Sequence, residues 1–452
     1  MHTARLTPIL GTACFLLFTG TTQAADNLSD WFSQGNIGGD MRLYDFTRDY
    51  AGTASDLPSG TPYTGKTAFN LKDMHSLSLG GKLAATTGWW DGFQAGTALY
   101  SAWDIGGNNY TLDNNKLYAT NYDYPWLNNL LMGTHRTLDT LGEAWLKYQN
   151  HLWSLQGGRI LIDNPWVNAS DGFMIPNLYQ GASLQIRPAN DTTIFVDRVT
   201  DYKNRTTAGF NQATIAVLPY DKLIDTGIMP GTFDAGVQWK ARQADVQAWW
   251  YNFLDLASMT YLEGGLHPTD LGVPVFLRMQ YDHETGNGQI GQVDATVWGA
   301  KVGVDLPEHL GNVFVAWNQM LNSQVNAISA GTSSVIDNGN FFSPYTQIYN
   351  TDPIYTTVMN YGLVSARAPG HAWMIGTTLH PFGNAVDIMP TYSQYITSPF
   401  VADGSAWMID VAWHASGRLK GLTIRNRLGI EHDIPFLGSA YVDDRFMLQY
   451  SF

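Results

Sequence analysis

The sequence ends in RFMLQYSF, and that ending narrows the folds open to the chain more than any other feature. Phe446, Leu448, Tyr450 and Phe452 take every second position, and the last aromatic is also the last residue. Arg445, Met447, Gln449 and Ser451 fill the alternate positions, so the segment has an apolar and a polar face at the period of a strand. The chain ends of water-soluble domains fray, and a large apolar side chain there gains little. A strand kept apolar to its final residue fits a closing strand whose outer face meets lipid. A terminal strand of a soluble sandwich carries the same alternation, so the rest of the chain must separate the two.

The other terminus reads as an export signal. MHTARLTPILGTACFLLFTGTTQAAD has a basic start at Arg5, an apolar stretch from Leu6 to Phe18 and small residues up to Ala24. This is the layout of a secretory signal peptide, 1–24, with cleavage after Ala24 and the remainder, 25–452, as one domain. Cys14, the only cysteine, lies inside the apolar stretch, and Gly11 stands where a lipoprotein signal would carry a large aliphatic residue. The exported chain then has no cysteine, which excludes disulfides and cysteine metal sites. Without Arg5 it holds 24 basic and 39 acidic residues, a net charge of −15 that argues against nucleic acid. After the signal no run of eighteen apolar residues follows, so no helix spans a bilayer.

Alternation recurs along the chain in segments of the length a membrane strand needs, about 9–11 residues. In AWMIDVAWHAS, Trp407, Ile409, Val411 and Trp413 share one face against Met408, Asp410, Ala412 and His414. In LTIRNRLGIEH, Leu422, Ile424, Leu428 and Ile430 oppose Thr423, Arg425, Arg427 and Glu431. TVWGAKVGVDL, VFLRMQYD and FDAGVQWKAR repeat the pattern, with Lys301, Arg278 and Lys240 on their polar faces. Parity alone does not tell an apolar core from a lipid face. Three features favour the membrane. Trp and Tyr gather near the ends of the apolar faces, as interfacial girdles do. Closure of a barrel explains the terminal aromatic. Short connections (87–91, 149–151, 190–191, 241–244, 382–384, 417–420) alternate with long polar ones (104–136, 202–231, 322–356, 396–404). The expectation is an all-β transmembrane antiparallel barrel of about eighteen strands, with both termini on the periplasmic side of a Gram-negative outer membrane.

Three stretches resemble the OprD family of outer-membrane porins, which are substrate-selective channels. SGRLKGLTIRNRLGIEHD with VDDRFMLQYSF is similar to the family's last two strands, through Lys420-Gly421-Leu422, Arg425, Arg427 and Asp444-Arg445. GGRILIDNPWVNASDGFMIPNLYQGASLQ resembles its strand-to-loop segment, through Arg159, Asp171, Met174, Pro176, Asn177 and Gly181. GDMRLYDFTRDY looks like its first strand, through Arg42, Tyr44 and Phe46. The chain departs from the family pattern at Gly172, where the resemblance implies an arginine, and at Gln180, where it implies an acid.

A selective pore lowers the barrier for a solute by fixed opposite charge and chooses among solutes by width and hydrogen bonding. Parity places Arg42, Arg187, Lys240, Arg242, Arg278, Lys301, Arg425 and Arg427 in the lumen, together with Lys82 and Lys147, against seven acids: Asp40, Glu143, Asp234, Asp282, Asp305, Asp410 and Glu431. The expectation is that most other acids lie in loops and turns. The resemblance implies a basic ladder through Arg425 and Arg427, and arginine's planar fork suits carboxylates. The loop holding Asp163, Asn164, Asp171, Met174, Pro176 and Asn177 has the composition of an ordered turn-rich loop and is the candidate inward-folded constriction. Phe446, Leu448, Tyr450 and Phe452 are the candidate assembly signal read by the barrel-assembly machinery.

Other classes fit less well. No GxSxG or HExxH occurs, and the histidines are scattered, so a rim-sited hydrolase has no legible triad or metal site. A ligand-gated transporter needs a plug of about 100 residues or more before the barrel, and about a dozen precede the first strand. A loop-based adhesion barrel stays open. No cofactor or metal is expected. The partners expected are small solutes (carboxylates or amino acids, with sugars also allowed by the resemblance), outer-membrane lipid and lipopolysaccharide, in a monomer or a homotrimer.

Overall fold

The computed structural model describes residues 27–51, 74–106, 131, 137–170, 172–210, 215–217, 223–225, 231–254, 256–268, 274–286, 291–292, 294–321, 326–330, 333–337, 341, 343–346, 351–359, 362–364, 369–398, 402–434 and 438–452. Residues 1–24 and Asp171 therefore lie outside the described residues.

Eighteen strands form one antiparallel sheet. β1 is Asn36–Ala51, β2 Met74–Thr86, β3 Phe93–Gly106, β4 Thr137–Gln149, β5 Trp153–Ile160 and β6 Leu178–Ala189. β7 is Thr192–Lys203, β8 Thr232–Lys240, β9 Ala244–Phe253, β10 Ala257–Leu266, β11 Val275–Gly286 and β12 Asp294–Asp305. β13 is Gly311–Met320, β14 Gly370–Leu379, β15 Val386–Ile396, β16 Gly404–His414, β17 Leu422–Ile434 and β18 Gly438–Ser451. Each strand pairs with its neighbours in sequence, and β18 returns to β1, with Leu448 facing Leu43 and Asp444 facing Thr47. The sheet is closed and has no edge, which satisfies every ladder group inside a bilayer. Phe452 completes the closure: its N–H donates to Gly39 and its carbonyl accepts from Gly39, both at 3.0 Å. The first strand therefore begins, and the last ends, on the same rim, the one that carries the short turns.

The burial pattern is inverted relative to a soluble barrel. Phe446, Tyr450 and Phe452 are exposed on the outer wall, as are Leu146, Val302, Trp407 and many like them, while Arg42, Asp443 and Arg445 are buried inside. Aromatics form the two expected belts. Near the long-loop rim Trp298 meets Trp317 at 4.5 Å, and Tyr392 stands between Trp373 (5.3 Å) and Trp407 (4.4 Å). Near the short-turn rim Tyr148 lies between Phe93 (5.0 Å) and Trp153 (4.9 Å).

The core lies between the inner wall and segments folded into the barrel. Ile162, Trp166 and Val167 of the loop after β5, with Phe341, Tyr345, Ile354 and Val358 of the loop after β13, pack on Tyr179, Tyr251, Phe253 and Tyr261 of the wall. Phe173, Met174 and Ile175 pack instead against Tyr44, Phe46, Tyr100 and Leu138.

Some boundaries differ from the sequence reading. The stretches 202–231 and 322–356 are not plain polar loops: Ile215–Val217 pairs with Leu223–Asp225, and Asn326–Ala330 pairs with Ser333–Asp337 and Gly291–Gln292. The connection after β15 is short, and the one between β1 and β2 is long. A one-turn helix, Leu28–Ser33, capped by Asn27, precedes β1.

Candidate functional site

The loop after β5 leaves the rim, crosses the lumen and is pinned to the first strand. Its alternation breaks at Pro165 and Pro176, which cannot donate to a ladder, so the segment turns inward rather than extending β5. Tyr44 donates its hydroxyl to the Gly172 carbonyl at 3.0 Å, and Arg42 donates from Nη1 to the Phe173 carbonyl. Phe173 then stands edge-on to Phe46, centroids 5.9 Å apart. The remaining expected loop residues fix its base. Asn164 donates to Asp234 at 3.1 Å and to Asp197 at 3.4 Å, and accepts from the Tyr251 hydroxyl at 3.2 Å. Asp163 accepts from the Ala169 amide, and Asn177 donates to the Asn168 and Tyr345 carbonyls while accepting from Tyr202. Met174 and Pro176 are buried.

Opposite the loop tip, arginines line the wall of β17, β18 and β1. Tyr44, Gly172, Arg425, Arg427, Arg445 and Met447 surround one small cavity. Strand pairing explains the cluster: Arg427 faces Arg445 directly, and Arg425 faces Met447, which faces Tyr44. Two carboxylates hold the guanidiniums in place. Asp410 accepts from Nε of Arg425 and from Nε of Arg427, each at 2.8 Å. Asp443 accepts from Nε of Arg445 at 2.7 Å and from Nε of Arg48 at 3.0 Å. Each trio of two guanidiniums and one carboxylate keeps a positive charge. The side chains are fixed by these bonds before any solute arrives.

The other expected ladder residues are not gathered here. Arg278 is clamped by Asp245 (3.0 and 2.8 Å) and Glu263 (3.0 Å) on the wall of β9 to β11, beside Lys301, which faces it across the β11–β12 pair and lies 3.8 Å from the Phe314 ring centroid. Tyr355, from the loop after β13, donates to Glu263 at 2.9 Å, and burial with that carboxylate raises the phenol well above its ordinary range. Arg187 and Lys240 lie at the short-turn ends of β6 and β8, and Arg242 is in the turn after β8 rather than in a strand. They share lumen parity, except Arg242, but sit at the short-turn mouth.

The inner wall carries more acids than the seven expected from parity. Asp197, Glu263, Glu284 and Asp443 join Asp234, Asp282 and Asp410 as buried groups on the inner wall. Those of β7, β8 and β11 lie behind the inward-folded loops, across from the arginines. Asp352 joins this side from the loop after β13. It accepts from Thr357 (2.7 Å) and the Ile354 amide (3.2 Å), and burial raises its carboxyl to about 6.

Two arginines beside the loop tip were not among the expected lumen bases. Arg445 was legible, since it sits at lumen parity in the closing strand and in the Asp-Arg pair. Arg205 was not, because it reaches the site from the loop after β7, with its guanidinium carbon 3.8 Å from the Phe173 ring centroid.

No protein-family model matches the chain, and no curated protein matches it. Solved structures do. The chain is similar to Pseudomonas aeruginosa OccK9 (OpdG), with a TM-score of 0.68 at 14% identity over 93% of this chain and 99% of that one. It is similar to Pseudomonas aeruginosa OpdK, solved with vanillate, with a TM-score of 0.67 at 13% identity over 93% and 99%. A BenF-like porin from Pseudomonas fluorescens Pf-5 gives a TM-score of 0.67 at 10% identity over 93% and 99%. At these identities the likeness is one of fold, and the closed eighteen-stranded barrel is the fold of the OprD-family porins.

Proposed function

We propose that this chain is an outer-membrane porin that gives passive, selective passage to small carboxylates and carboxylate-bearing amino acids. The barrel would sit in a Gram-negative outer membrane after signal-directed export, with its short turns and both termini facing the periplasm. It would act as a channel and not as an enzyme. The observation that carries the reading is the convergence of Arg42, Arg425, Arg427 and Arg445 on the tip of an inward-folded loop. A carboxylate leaving water at this narrowing exchanges hydration for charge-assisted N–H donors already in position. Vanillate, held by one solved barrel of this fold, is itself a carboxylate, which supports the class.

The test is ion selectivity and block in planar bilayers. In a salt gradient the reversal potential should have the sign of anion preference. Vanillate, benzoate and succinate should reduce chloride current at concentrations where glucose and choline, which carry no carboxylate, do not. Cation preference with no carboxylate block would remove this reading.

A further inference from the structure

The helix Leu28–Ser33, ahead of β1, has one apolar side. Leu28, Trp31 and Phe32 follow the i, i+3, i+4 spacing that sets side chains on one face, and Ser29, Asp30 and Ser33 take the other. Trp31 is spent on the barrel. Its indole N–H donates to the Phe93 carbonyl at 3.3 Å, its ring lies 6.1 Å from that of Trp90, and its carbonyl accepts from the Gly88 amide at 2.7 Å. The helix is thereby fastened to the turn between β2 and β3, on the short-turn rim. Leu28 and Phe32 are left 54% and 64% exposed. Trp90, Phe93, Ile37 and Phe452 on the same rim are exposed as well. Phe93 opens the outward row of β3, which continues through the exposed Leu99 and Trp103.

We infer that this helix is an interfacial foot: Leu28 and Phe32 enter the periplasm-facing leaflet of the membrane, and phospholipid is the partner that covers them. Continuity of the exposed surface names the occupant. A face joined through Trp31 to the end of a lipid-bathed row of side chains meets the same leaflet as that row. Apolar side chains next to an aromatic belt settle at the headgroup boundary, while the side of the helix bearing Ser29, Asp30 and Ser33 stays in water. The bonds of Trp31 tie the foot to the barrel, so it helps to set the height at which the short-turn rim rides in the leaflet. This inference rests on the barrel spanning a membrane and on nothing about the solute it passes.

Cys14 is the only cysteine, so the chain expressed from Ala25 takes a single fluorescent label in each of L28C, F32C, S33C and L99C. The barrels are reconstituted in vesicles of phosphatidylethanolamine and phosphatidylglycerol, with iodide on both sides, and heat-modifiable migration checks that each is folded. Lipid carrying a doxyl group near its headgroup should quench the labels at positions 28 and 32, and iodide should not. Iodide should quench the label at position 33, and lipid with a deep doxyl group the label at position 99. Labels at 28 and 32 that iodide quenches as fully as the one at 33 overturn the foot. Labels there that neither reagent reaches place the face against protein and overturn it too. Failure of lipid to quench the label at position 99 overturns the membrane reading itself.

Discussion

Tyr44 on the first strand donates its hydroxyl to the carbonyl of Gly172, 128 residues away, at 3.0 Å. With the Arg42 bond to the Phe173 carbonyl, this fastens the loop tip to the wall beside the arginines. A neutral hydrogen bond contributes about 1 kcal/mol net, so Y44F should raise the undocked population of the loop about fivefold. Single-channel records should then show more frequent excursions to higher conductance. Records identical to the parent would mean that the Arg42 bond and the Phe173–Phe46 packing hold the tip without Tyr44.

Asp410 is the shared acceptor of Arg425 and Arg427. In D410N the negative charge is lost while both guanidiniums stay, so anion preference should increase. The arginines also lose their anchor, at a cost on the order of 2 kcal/mol for bonds between charged groups. The temperature at which the folded barrel unfolds in SDS should therefore fall. Higher anion preference with unchanged heat resistance would show that Asp410 sets charge but not rigidity.

The faces of the strands were legible in the sequence, and their depths were not. Period two is exact, so parity separates Phe446, Leu448, Tyr450 and Phe452 from Arg445, Met447 and Gln449 without any tertiary information. Height in a barrel depends on tilt and shear accumulated around the ring. Lys240 and Arg425 therefore share a parity but lie at different levels. Partners across the closure are equally hidden: Asp443 serves Arg48, 395 residues away. Inward folding of loops was visible only as turn chemistry after Ile162, and nothing local to Arg205 announces that it will stack on Phe173.

Asp352 gives the loop after β13 a pH dependence. Its carboxyl is raised by burial to about 6, above its ordinary value of 3.8, so the docked loop favours the protonated form. The contribution of this group to docking is complete below about pH 4 and is lost as pH rises through about 6. Conductance fluctuations should increase between about pH 4 and 6 in the parent by this account and level off above that. D352N should be flat over that range, since the amide keeps an oxygen for Thr357 and the Ile354 amide and carries no charge to desolvate. A pH dependence that survives D352N would assign it to other groups.

Phe452 closes the barrel through both backbone bonds to Gly39 and presents its ring to the outside. Deleting it removes two ladder bonds and the last outward aromatic of the candidate assembly signal. Folded protein recovered from outer-membrane fractions should drop severalfold, with the precursor accumulating before insertion. An unchanged yield would deny the terminal residue a role in assembly.

The central claim is that the arginines beside Gly172 select carboxylates, and R425Q/R427Q tests it most directly. Glutamine keeps a polar, wet lumen, and Asp410 is left without its two charged partners, so the local charge swings from positive to negative. The measurement is the reversal potential in a salt gradient at low ionic strength, where charge is poorly screened. The account predicts a shift from anion toward cation preference, together with loss of vanillate block in a barrel that still shows heat-modifiable migration. A reversal potential and block equal to those of the parent would contradict it, and would leave these arginines as structural filling of the wall.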